Sequence, residues 1–171
     1  MRPESGLPSD TPLLNRFTSI GRVLDPRYRT NALIMALSAA GGLVSMGLQL
    51  LAGQDFGTAL IGGVLTGLAT LLAWVFTREA DPDHAYSAFI SAGLALAICL
   101  LMGPQPLALL PLFAAVVAVR MINRIVGPPF RWADSLIALA LALALAAAGD
   151  GIATVMLGIA FALDGLLKPP L

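Results

Sequence analysis

The side chains able to do chemistry in this chain gather in two short stretches. TREADPDHAYSAF, residues 77–89, carries Arg78, Glu79, Asp81, Asp83 and the only histidine, His84. VRMINRIVGPPFRWAD, residues 119–134, carries Arg120, Asn123, Arg124, Arg131 and Asp134. Asp81, Asp83 and His84 offer ligands to a hard divalent cation such as Mg²⁺, which prefers carboxylate oxygen and often bridges to phosphate. The same residues also spell a helix start, with Asp81 as cap, Pro82 in the first turn and Asp83 at the positive end of the helix dipole. Asp25-Pro26 repeats that arrangement, and a start signal used twice outweighs a metal site. In the second stretch, Arg120, Asn123 and Arg124 stand at i, i+3 and i+4 and share one helix face, which should stop at Gly127 before Pro128 and Pro129. Guanidinium forks bind phosphate oxygens bidentately, so Arg120, Asn123, Arg124 and Arg131 form a candidate cradle for an anionic head group. The competing reading pairs them with acids. Beyond residue 77, Arg78, Arg120, Arg124, Arg131 and Lys168 are matched by Glu79, Asp81, Asp83, Asp134 and Asp164. Asp164 stands apart as a carboxylate a turn inside the last apolar run, with Lys168 four residues on in the favoured acid-to-base order.

The elements that must position these groups are membrane helices. The chain has 171 residues, of which 58% are apolar and 12% charged, and its mean hydropathy of +0.86 lies outside the soluble globular range. Uncharged runs at 32–52 and 56–77 are each long enough to cross a bilayer core of roughly 30 Å. Residues 85–103 and 106–122 form a second pair, broken at GPQP. The stretch 132–168 reads as a hairpin turning at GDG, because one long helix would strand Asp150 in its middle. The expected fold is therefore all-α and polytopic, with six transmembrane helices as three hairpins over residues 31–168. Residues 1–30 form a cytoplasmic N-terminal tail, in which Leu13, Phe17, Ile20 and Leu24 oppose Arg16, Ser19 and Arg22 on an amphipathic interfacial helix. With both termini inside, every Lys and Arg falls on the cytoplasmic side, while the three outer turns carry only Asp55 and Asp150.

Each hairpin opens with a similar tetrapeptide, NALI, SAFI or DSLI, and reaches a glycine at its outer turn, Gly53, Gly103 or Gly149. Three such units would surround an axis normal to the membrane. Ala59, Gly63 and Gly67 on one span, and Ser38 and Gly42 on another, mark faces where helices approach closely.

Several classes are excluded. No basic stripe with interleaved aromatics supports nucleic-acid binding. Cys99 has no partner for a disulfide or a thiolate metal site. The aspartate patterns of CDP-alcohol phosphotransferases and UbiA-type prenyltransferases, and the Ser/His pair of rhomboid proteases, are absent. No carboxylate lies mid-span to couple an ion-driven carrier.

What remains is a multi-pass protein of a bacterial inner membrane that recognises an anionic or phosphate-bearing head group at its cytoplasmic face, with no reaction assigned. Its partners would be the bilayer and an anionic lipid, and no cofactor is required apart from the Mg²⁺ option at Asp81, Asp83, His84 and Asp164. Two alternatives stand beside it. One is a small transporter or transporter subunit with solute lined by Gln49, Thr66 and Ser91. The other is a scaffold packing on a membrane-protein partner or on a second copy of itself.

Overall fold

The computed structural model describes residues 24–104, 106–123 and 132–166. They form six helices: α1 Arg29–Leu51, α2 Phe56–Ala80, α3 Ala85–Met102, α4 Pro106–Asn123, α5 Trp132–Ala147 and α6 Gly151–Leu166. No strand occurs among the described residues. The amphipathic segment at 13–24 lies outside them, apart from Leu24.

Sequence punctuation sets the helix ends. Gly53, Gly103 and Gly149 have φ of 83°, 83° and 79°, the left-handed conformation that glycine adopts without a Cβ clash. The helices then restart behind Asp55 and Asp150, whose carboxylates accept the backbone N–H of Thr58 and Ala153. At the other end the expected Asp-Pro caps are corrected. α1 begins at Arg29 and α3 at Ala85, each four residues after its aspartate, and the N-cap residues are Tyr28 and His84. Asp25-Pro26 and Asp81-Pro82 are turns leading into the helix, because each aspartate spends its carboxylate within the turn. Asp25 accepts the Arg27 N–H, and Asp81 accepts His84 Nδ1–H. The third residue of each helix reaches back to its turn, Asn31 to the Asp25 carbonyl and Ser87 to the Asp81 carboxylate. α5, opening at Trp132, carries Asp134 at the same third place. This gives the three similar tetrapeptides one structural register.

α1 and α2 pack closely, and α2 also packs on α3 and α4. α4 packs on α6, and α5 lies against α6 and α4. The even-numbered helices thus make a central row flanked by the odd-numbered ones. Two expectations change here. α3 and α4 share no packing contact among the described residues, so the middle pair is not a packed hairpin. α2 and α6 do not meet either, so the row stays open instead of closing round an axis. α3 keeps its small face, Ala88 and Ala92, for Trp74 of α2 and Ile34 of α1.

Glycine controls the α1–α2 contact. A Cβ on Gly42 would lie 2.7 Å from the Gly63 carbonyl oxygen, and one on Gly63 would lie 2.7 Å from that of Gly42. The small-residue faces are therefore used inside the molecule, where backbones approach to gain dispersion contacts that lipid does not supply. Hydroxyls reinforce the N-terminal half. Thr66 Oγ1 is 2.9 Å from Ser45 Oγ across α1–α2, and Thr77 Oγ1 is 2.8 Å from Ser91 Oγ across α2–α3. The C-terminal half has an apolar core of Ala114, Val117, Met121, Leu141, Leu145 and Leu157.

α1, α2 and α3 are long and apolar enough to span a membrane. α5 and α6 have 16 residues each, a rise of about 24 Å at 1.5 Å per residue. The exposed surface is lipid-like along five of the six helices, α4 lying inside: Leu43, Ile61, Ile90, Leu143 and Ile152 are all exposed large hydrophobics. Such a surface needs an apolar solvent, which associates the chain with a membrane.

Candidate head-group site at the polar end

The last turns of α2 and α4 meet at one end of the row, and an ion pair joins them. Arg120 donates from Nε at 3.1 Å and from Nη2 at 2.9 Å to Glu79 Oε1. The two side chains are only 16% and 11% exposed, so the pair is mostly withdrawn from water. Asp134, in the first turn of α5, is fully buried and partnered. A carboxylate there also meets the positive end of the α5 dipole. Charges taken out of water at this cost persist only with good geometry and complete pairing.

The loop between α2 and α3 lies at the same end. Asp81 Oδ1 is 2.9 Å from His84 Nδ1, and Ser87 Oγ donates to Asp81 Oδ2 at 3.3 Å. Arg78 closes the turn by donating to the Pro82 carbonyl at 2.9 Å. Hydrogen bonding to His84 lowers the Asp81 carboxyl pKa against the opposing effect of desolvation, and the charge of His84 and the Ser87 hydrogen bond add to the lowering. The Asp81–His84 bond, with the charges of Asp81 and Asp83, raises the His84 pKa. Both groups are well exposed, so this is a surface pair.

The structure thus brings Glu79, Arg120 and Asp134 to one end and places Asp81 and His84 in the adjoining loop. Asp83 is exposed. Asn123 ends α4, and Asp164 lies in the last turn of α6. Arg124, Arg131 and Lys168 lie outside the described residues. No group of three or more His, Cys, Asp and Glu side chains among the described residues is arranged to hold a metal. His84 and Asp81 engage each other, while the Ser87 hydroxyl is shared between the His84 carbonyl at 2.7 Å and Asp81 Oδ2 at 3.3 Å. Glu79 is the residue that sequence reasoning counted but did not site. It is 41 positions from Arg120, and no local spacing rule connects them.

The transporter lining separates. Gln49 donates to Ser45 Oγ at 3.1 Å, the same oxygen that meets Thr66, so these polar groups satisfy one another inside a packed contact. Ser91 pairs instead with Thr77 near the far end of α2.

No protein-family model matches the chain, and comparison with curated proteins and with solved structures gives no match.

Proposed function

We propose that this chain is a six-span membrane protein, with both termini cytoplasmic, whose polar end binds a phosphate-bearing head group. Arg124 and Arg131 are the phosphate contacts. Arg120 is the fixed flank, oriented by Glu79 through Nε and Nη2. The single observation that carries this reading is the withdrawal of Glu79, Arg120 and Asp134 from water at one end of an otherwise apolar bundle. A pair that neutralises Arg120 leaves it as scaffold and gives the anion-binding role to the arginines that follow in the connection from α4 to α5. Their guanidinium groups supply the bidentate donors phosphate needs.

The reading has two tests. Native mass spectrometry of protein released from its own membrane should retain a phosphate-bearing lipid on the wild type and lose it on Arg124→Gln. Equal retention removes the site. For the topology, single cysteines at 54 and 150 in a Cys99→Ala background should react with an impermeant maleimide from the non-cytoplasmic side. Reaction of either from the cytoplasmic side alone removes the six-span reading.

A further inference from the structure

The opposite end of the bundle carries two carboxylates that look alike in sequence, each following a turn glycine and each starting a helix. Asp55 is satisfied by its own helix: Oδ1 accepts the Thr58 N–H at 3.1 Å and Oδ2 accepts the Thr58 hydroxyl at 2.6 Å. Asp150 is not. Its Oδ1 accepts the Ala153 N–H at 3.0 Å, but the Thr154 hydroxyl turns to the Asp150 main-chain carbonyl at 2.8 Å. Oδ2 therefore has no protein partner among the described residues. Asp150 is also half-buried, and it sits where two clefts meet. One, of about 320 Å³, runs between α4 and α6 past Pro111, Ala115, Ala118, Ala153 and Met156. The other, of about 340 Å³, opens beside Gly149 and Leu110.

The chemistry at this mouth is acceptor-rich and carries no positive charge. No Lys or Arg occurs at 30–77, 79–119 or 132–167, so among the described residues no basic side chain lies at this end. Pro111 in the cleft wall has no N–H to give, which removes a donor to the carbonyl four residues earlier. A complementary ligand must bring donors and positive charge to Asp150, and an apolar chain to the alanine-lined cleft. We infer that the α4–α6 cleft is a binding site for an ammonium-headed lipid, with Asp150 meeting the head group and the cleft taking part of one tail. The site rests on the membrane reading of the chain but not on the head-group site at the polar end.

The test is competitive retention in native mass spectrometry. Purified protein receives an ethanolamine-headed lipid and a glycerol-headed anionic lipid with identical tails. Asp150→Asn removes the charge and keeps the cap, because asparagine caps helices as well as aspartate does. The wild type should prefer the ethanolamine lipid by about fivefold, the scale of a partly exposed charge pair, and Asp150→Asn should bring the ratio near unity. Asp55→Asn should leave the ratio unchanged, and all variants are compared in an Arg124→Gln background so that lipid held at the polar end does not enter the ratio. Ala115→Leu, which fills the cleft, should lower retention of both lipids. A ratio that survives Asp150→Asn, or falls equally in Asp55→Asn, overturns the inference. So does hexyltrimethylammonium binding as tightly as the lipid, since the occupant would then be a free amphiphile.

Discussion

The two halves of the molecule solve the same packing problem with different residues. In α1–α3 the helices close on glycine backbones and on hydroxyl pairs, Gly42 with Gly63, Thr66 with Ser45 and Thr77 with Ser91. In α4–α6 alanine and leucine fill the contacts; clefts open in both halves, an apolar groove of about 450 Å³ along the glycine face of α1 and α2 and polar-mouthed ones beside Asp150. The lesson is that small residues in an apolar helix matter only where a neighbour uses them. Gly63 faces a carbonyl oxygen, whereas a Cβ on Gly158 would meet nothing within 4 Å. Glu79 and Arg120 join the halves with an ion pair between helices.

Cutting that join should have the largest effect. Glu79→Ala leaves the Arg120 guanidinium mostly buried without this partner, and should cost about 3 kcal/mol of stability in detergent unfolding. A loss below about 1 kcal/mol would make the pair a surface contact of the ordinary kind. Next comes the glycine contrast. Gly63→Ala should destabilise by about 1–3 kcal/mol through overpacking, while Gly158→Ala should be neutral or stabilise by up to about 1 kcal/mol through helix propensity. Equal effects at the two sites would erase the distinction between the halves. Thr66→Val, which removes a hydroxyl bond between helices, should cost about 0.6 kcal/mol, the average for such bonds in membrane bundles.

The smallest effect concerns the exposed loop. His84 has a raised pKa in the folded chain, so its contribution is present at low pH and is lost as pH rises through the folded value. Asp81 has a lowered pKa, so its contribution is present above the ordinary carboxylate range and is lost as pH falls through the folded value. The pair therefore helps only between those limits. An NMR titration of His84 should show a midpoint above the ordinary histidine value, returning to it in Asp81→Asn. An unchanged midpoint in the variant would mean that Asp81 does not hold the ring in solution.

Much of this architecture was legible from residue order because bilayer-length apolar runs and glycine turns are local signals. The run at 56–77 became α2, and GDG became the turn between α5 and α6. The Asp-Pro pairs misled by three residues, since an aspartate before proline serves a turn as readily as a cap. Tertiary partners were not legible. Nothing near Glu79 announces Arg120, and nothing in LALALALAAAGDG distinguishes Asp150 from Asp55. The difference lies just beyond the turn: the third residue after Asp55 is Thr58, whose hydroxyl reaches the carboxylate, whereas the third after Asp150 is Ala153 and Thr154, the fourth, bonds the main-chain carbonyl. The arrangement of the six helices as an open row follows from which small faces meet, a property of pairs of helices that no single run encodes.

The central claim is that arginines at the polar end hold a phosphate-bearing head group while Glu79 keeps Arg120 in place. The most direct measurement compares lipid retention by native mass spectrometry for the wild type, Arg124→Gln and Arg131→Gln, all released from the same membrane. The account predicts that a phosphate-bearing lipid stays on the wild type and that each variant loses at least about tenfold of that occupancy, the scale of one charge-assisted contact. Retention at wild-type level in both variants would contradict it and leave the polar end as a charge-balanced helix terminus.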